Sequence, residues 1–216
     1  MKIQMLSTCL FVGLIIVSSF GQNKNIKLSA SEKDYEIKNA TLAPYADGGM
    51  SGVQLTTPNE KSGAAWLKGK TFTEGAIEFD VMGANNSGAS FVGIAFHVQN
   101  DSTYDCIYFR PFNFVAEKQL NRDHMVQYIS MPENDWYTLR EKRTGEFEKE
   151  IKNAPNPDKW FHARIEVKGN EIKVFVNHDP TPALVVNKLN THRNGKIGLW
   201  VGSNSFGRFA NLNLAP

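Results

Sequence analysis

From Gly75 to the C-terminus, apolar and polar residues alternate with period two, the pattern of strands that bury one face. In "GAIEFDVM" Ile77, Phe79 and Val81 fall on one side and Glu78, Asp80 and Met82 on the other. In "SFVGIAFHVQ" Val92, Ile94, Phe96 and Val98 alternate with Gly93, Ala95 and His97. "RIEVKGNEIKVFVN" reads as a hairpin, with Ile165 and Val167 before a Gly169-Asn170 turn and Ile172, Val174 and Val176 after it. "GKIGLWVG" and "GRFANLNL" give two closing strands, and "MSGVQLTT" with "AAWLKG" gives an earlier pair around a turn at 58–63.

Turn residues recur about every ten positions, at Asp47-Gly48-Gly49, 85–88, 99–102 and 153–158. Many short strands at that spacing predict an all-β, two-sheet antiparallel β-sandwich of the jelly-roll kind with little helix. Only Trp136 to Arg143 invites a helix, with Trp136, Leu139 and Arg143 on one face and Gly145 to stop it.

The first 21 residues follow another rule. Lys2 precedes an apolar run from Leu10 to Val17, and small residues follow at Ser18, Ser19 and Gly21. This is the order of a secretory signal peptide, with cleavage expected near Gln22, a start that N-terminal sequencing reads directly. The run is short for a membrane span and no second one follows, so no span is expected in the mature chain. Residues 22–216 are then one secreted or periplasmic domain. The formal charge is +2 for the whole chain, or +1 without Lys2, and no basic block points to nucleic acid. Cleavage leaves Cys106 as the one cysteine, so no internal disulfide can form, and a strand cysteine reads as a small buried apolar residue.

The segments "FTEGAIEFDV", "FVGIAFHVQND", "IYFRPFN", "WFHARIEVKGNEIKVFVN", "ALVVNKL" and "GKIGLWVGSNSFGRFANLNL" follow one another as in concanavalin A-like sandwich domains. Over about residues 45–214 the chain resembles exported bacterial domains related to laminin G-like modules and to the 3-keto-disaccharide hydrolase family. The resemblance implies a jelly roll whose concave sheet cups a sugar. "EFDVM" also resembles the start of the catalytic strand of family 16 glucanases, but Met82 and Gly83 stand where the third carboxylate is expected.

Candidate chemistry gathers on the polar parity. Tyr108 and Arg110 share a face with Cys106, and extended alternation would add His97, Glu78 and Asp80. "YFRPFN" brings Asn113, and "NRDHMVQY" brings Arg122, His124, Gln127 and Tyr128. Sugar recognition needs aromatic faces for stacking and planar polar groups for paired hydroxyls, and this set holds both. Singly, each could be an outward strand residue meeting water; together they break the local alternation, as functional residues tend to. Arg110 is expected to project from the sheet as a ligand anchor, so that truncating it would change stability by about 0.5 kcal/mol or less. His124, or the pair Glu78 and Asp80, would supply acid/base chemistry. Trp136 and Trp200 are candidate stacking platforms.

No His-x-x-x-His, His-Glu-x-x-His or Cys-x-x-Cys spacing marks a zinc site. No cofactor is required, while a structural calcium held by backbone carbonyls and one Asp would leave little trace. Oligomeric state is not written in the chain. The reading is an exported carbohydrate-recognition domain binding a glycan or oligosaccharide. A hydrolase or lyase acting on a glycoside or keto-sugar with the same face is the alternative, and a laminin G-type adhesive module is the third reading.

Overall fold

The alternating segments become fifteen strands in a computed structural model that describes residues 24–58 and 60–216. The proposed signal, 1–21, lies outside the described residues. In chain order the strands are β1 (Lys24–Ile26), β2 (Tyr35–Lys38), β3 (Thr41–Asp47), β4 (Met50–Thr56), β5 (Gly63–Phe72), β6 (Gly75–Met82), β7 (Val92–Asn100) and β8 (Thr103–Phe109). Then follow β9 (Val126–Met131), β10 (Glu148–Lys149), β11 (Phe161–Lys168), β12 (Glu171–Val176), β13 (Leu184–Asn187), β14 (Gly195–Val201) and β15 (Phe206–Ala215). Two short helices, α1 (Gln119–Arg122) and α2 (Trp136–Lys142), lie on either side of β9 in sequence. No described helix is long and apolar enough to cross a membrane.

The strands form two antiparallel sheets. One runs β13-β12-β11-β6-β15-β4-β3, with β1 also on β15; the other runs β10-β9-β8-β7-β14-β5-β2. The apolar parity fills the space between them. Ile77, Phe79, Val81 and Ile165 from the first sheet and Ile94, Phe96, Ile107 and Phe109 from the second are fully buried. Phe109 meets Phe161 edge-on across the gap, with ring centroids 5.1 Å apart. Each such side chain contributes roughly 1.5–3 kcal/mol on burial. The hairpin at Gly169-Asn170 forms as expected, with Lys168 opposite Glu171 and Gly169 at φ 59°.

Two expectations fail because chain neighbours join different sheets. β4 pairs with β3 and β15, whereas β5 pairs with β14 and β2, so "MSGVQLTT" and "AAWLKG" are not partners. Likewise β6 lies between β11 and β15, and β7 between β8 and β14. The outward face of β6 is therefore on the opposite side of the sandwich from the outward face of β8. Glu78 and Asp80 cannot share a surface with Tyr108 and Arg110.

A polar knot sits in the core beneath β8 and β9. Asp105, on the inward parity of β8, is fully buried. Its Oδ1 accepts from Tyr128 Oη at 2.6 Å and from Asn190 Nδ2 at 2.6 Å. His97 Nδ1 stands 3.2 Å from Oδ2, and Lys188 Nζ 4.0 Å from it. Burial pushes the Tyr128 phenol up and the Lys188 ammonium down. These contacts correct two expectations. Tyr128 pairs with Ile107 across the ladder, so its ring points into the core, away from Tyr108. His97 takes a left-handed backbone (φ 49°) at a bulge, which turns its ring onto Asp105 and the Thr73 carbonyl, 2.8 Å from Nε2.

Asp105→Ala leaves the buried Tyr128 hydroxyl without its acceptor, takes one of two acceptors from Asn190 and removes the countercharge beside buried Lys188. The expected loss is about 3–5 kcal/mol, as for breaking a buried ion pair. Urea unfolding reads it as a lowered midpoint at constant slope; an unchanged midpoint would show that the knot holds nothing.

Candidate active site

The outward parity of β8 and β9 makes the floor of a cleft of about 540 Å³. Tyr104, Tyr108 and Arg110 come from β8 and its end, Ile129 and Met131 from β9, and Trp200 from β14. Phe91 and Phe112 line it, as do Asp135, Trp136 and Arg140 at α2. Tyr108 and Trp200 pack with centroids 5.1 Å apart, and Trp200 Nε1 donates to Tyr104 Oη at 3.2 Å. Pro111 begins a 3₁₀ turn, Pro111–Asn113, that ends β8 and sends the chain over the cleft. Asp135 caps α2 by accepting from the Thr138 amide at 2.7 Å.

The polar end of the cleft is organised by Glu148, whose side chain is 2 % exposed. Arg140 holds both of its oxygens, Nε donating to Oε1 at 3.0 Å and Nη2 to Oε2 at 2.8 Å. Arg110 Nη1 lies 3.6 Å from Oε2, and His124 Nδ1 2.8 Å from the same oxygen. His124 Nδ1 and Arg140 Nη2 thus converge on one oxygen of Glu148. Arg110 is itself buried: Nη1 donates to the His124 carbonyl at 2.9 Å, and Nη2 to Tyr108 Oη at 2.7 Å and to Gln127 Oε1. Tyr108 Oη also donates to Gln127 Oε1 at 2.7 Å.

Electrostatics fix the protonation states. Desolvation holds the His124 imidazole below its usual range; Glu148 opposes this, and Arg140 and Arg110 reinforce it. His124 is therefore neutral at pH 7. Burial pushes the Tyr108 hydroxyl up to about 12, so it stays protonated. The hydrogen bonds that Arg140 donates to Glu148 hold its guanidinium above the usual range. Two guanidiniums share one carboxylate, which leaves this end of the cleft cationic.

Residues 21–215 match the family model described as a 3-keto-alpha-glucoside-1,2-lyase-like domain. The chain belongs to this family. No curated protein sequence matches it. Among solved structures, a carbohydrate-binding module, CBM66, from Bacillus subtilis superposes with a TM-score of 0.59 at 13% identity, covering 84% of this chain and 96% of that one. A galectin-like protein of unknown function from Bacillus subtilis gives 0.58 at 10% identity, over 91% and 97%. The β-glucanase of Bacillus licheniformis gives 0.52 at 13% identity, over 90% and 92%. These likenesses establish a concanavalin A-like jelly roll.

Within this family member, Tyr108, Arg110, Asn113 and His124 line one cleft. Gln127 lies beneath them, fully buried, with its Nε2 unpartnered. Arg122 is held outside the lining by Glu150, 3.0 Å from Nε, and by the carbonyls of Ala116 and Glu117. Tyr128 and His97 belong to the core, as described above. Glu78 pairs with Arg164 on the other sheet, and Asp80 bonds His162 Nδ1 at 3.0 Å and Asn211 Nδ2 at 2.6 Å. A glucanase-like carboxylate pair is thus not placed in this cleft. Among the described residues no group of three or more His, Cys, Asp or Glu side chains could hold a metal ion.

Glu148 and Arg140 were missed. The Trp136/Arg140 spacing of four places both on one helix face and could have found Arg140. Glu148 sits in a run of alternating charge, "EFEKE", that resembles a solvated edge.

Burial reverses one expectation. Arg110→Ala removes a cation from beside a buried carboxylate and three acceptors, so a loss of about 3–5 kcal/mol is expected. Thermal melting at neutral pH checks it. A melting temperature within a degree of wild type would restore the picture of an exposed ligand anchor.

Proposed function

We propose that this domain is a lyase acting on 3-keto-α-glucosides, with His124 as the base. The observation that carries the reading is a neutral imidazole in an aromatic cleft, backed by a buried carboxylate that two arginines hold in place. A ketone at C3 acidifies the proton on C2. His124 takes that proton, the C–H electron pair becomes the C1=C2 double bond, and the C1–O pair departs on the aglycone oxygen, which takes up a proton from solvent while the imidazolium returns its own to solvent. The products are a 2-hydroxy-3-oxo-glucal unit and an alcohol, and neither oxidant nor water is consumed. Negative charge that gathers on the C3 oxygen is offset by the excess guanidinium charge. Glu148, 2.8 Å from Nδ1, stabilises the imidazolium as it forms. Export accompanies this reading, since residues 1–21 carry the order of a secretory signal.

A second reading, glycan recognition without turnover, is favoured by one feature. Both Glu148 oxygens are engaged by Arg140, while the floor offers aromatic faces suited to a sugar ring. Turnover separates the two. His124→Ala is expected to lower kcat/KM on a 3-keto-α-glucoside by about 10²–10⁴. A lowered pKa means the base stays unprotonated until the pH falls below its ordinary value of about 6.5, so the acid limb of the wild-type profile should lie below that value. Wild-type protein that binds keto-glucosides and never releases aglycone would favour recognition alone.

A further inference from the structure

Gln127 stands on β9 opposite Tyr108 of β8 and Glu148 of β10, and its side chain is fully buried beneath the cleft. Oε1 accepts from Arg110 Nη2 and, at 2.7 Å, from Tyr108 Oη. A guanidinium can only donate, so the amide must turn its oxygen toward Arg110. Nε2 then points away and has no partner among the described residues. A glutamate has nearly the same shape. Its carboxylate would accept both bonds and leave no buried donor unpaired. What an amide supplies at this place, and a carboxylate would not, is the absence of a negative charge.

That absence bears on Arg110 first. Its hydrogen-bond acceptors are all neutral: the His124 carbonyl at 2.9 Å, the Tyr108 hydroxyl at 2.7 Å and the Gln127 amide. Its carboxylate neighbour, Glu148, lies 3.6 Å from Nη1 and is bound through both oxygens by Arg140. The charged groups that face His124 are therefore Glu148 from β10, Arg140 from α2 and Arg110 from the end of β8. Two cations and one anion leave one positive charge. Other charges nearby are engaged elsewhere. Asp123 accepts from Gln119 Nε2 at 2.8 Å, Arg122 pairs with Glu150, and Asp135 caps α2.

We infer that Gln127 is a positioning residue that sets the charge of the cleft: as a neutral acceptor it fixes Arg110 and Tyr108 in place without neutralising the guanidinium. Its effect on His124 rests on this geometry alone, and its effect on turnover rests on the lyase reading. The uncancelled Arg110 opposes a proton on His124 and offers its charge to an oxygen that becomes negative. The imidazole agrees: burial lowers it, and Arg140 and Arg110 add to that against Glu148. A glutamate at 127 would form an ion pair with Arg110 and cancel its share of both effects. The imidazole would then take its proton at a higher pH, and the base would be lost earlier as the pH falls.

The test is a pair of substitutions of nearly equal volume in the full mature chain. Gln127→Glu adds the charge and keeps both hydrogen bonds; Gln127→Met adds no charge and loses both. NMR follows the His124 ring proton against pH, the signal being assigned by its loss in His124→Ala. Gln127→Glu is expected to move this titration to higher pH than in wild type, and Gln127→Met is expected not to raise it. A residue that merely holds its neighbours would show the larger change with Met. An unshifted titration in Gln127→Glu overturns the inference. So does a Gln127→Glu chain that fails to fold, because a carboxylate is held to fit beside Arg110. Turnover of a 3-keto-α-glucoside is assayed separately, and Gln127→Glu should lower kcat/KM at neutral pH by about tenfold or more. A shifted titration in a protein whose wild type never releases aglycone would remove the lyase reading and keep the charge role. Wild-type turnover with no shift in Gln127→Glu would do the reverse.

Discussion

The candidate site depends on one buried carboxylate. Glu148 lies on the two-residue edge strand β10, yet it is almost fully removed from water. A lone carboxylate there would be costly, and its neighbours are the answer to that cost. Arg140 comes from α2, Arg110 from the end of β8, and His124 from the segment before β9. Three chain segments distant in sequence are therefore drawn to one point. The bidentate geometry of Arg140 fixes the rotation of the carboxylate. That rotation sets which oxygen faces the imidazole.

Strands β8 and β9 serve two purposes at once because their side chains alternate. Outward, Tyr104, Tyr108 and Ile129 form the floor of the cleft. Inward, Asp105, Tyr128 and Ser130 form the polar knot with Asn190, whose Nδ2 also donates to Ser130 Oγ at 2.8 Å. The knot ties the stretch after β13 to the underside of the same strands that carry the site. Backbone position beneath the cleft is thus set by hydrogen bonds and not by apolar packing alone, which suits a floor whose side chains must hold still. Cys106, between Tyr104 and Tyr108 on the outward parity, is fully buried; burial pushes its thiol well up and keeps it out of the chemistry.

The period-two pattern was enough to read the sandwich, the Gly169-Asn170 hairpin and the inward sets of β6, β7 and β8. It was also enough to put Tyr108, Arg110 and Trp200 on one face. It could not say which strands share a sheet, because parity is a local property and pairing is not. Glu78 and Asp80 were assigned to the cleft for that reason, though β6 and β7 belong to different sheets. A bulge defeats parity outright, as at His97, and a polar residue on the inward parity, such as Tyr128, is invisible until its buried partner Asp105 is known. Glu148 was hidden by its neighbours: charge on an edge strand reads as solvation until Arg110 and Arg140 are seen to enclose it.

The central claim is that His124 removes the proton on C2 of a 3-keto-glucoside. The most direct measurement follows a substrate deuterated at C2 and reads the label by mass spectrometry after turnover in ordinary water. The account predicts that each molecule of aglycone released is matched by one deuteron lost to solvent, and that His124→Ala stops both together. Aglycone released with the deuterium still on C2 would contradict it, since the C1–O bond would then have broken without the elimination.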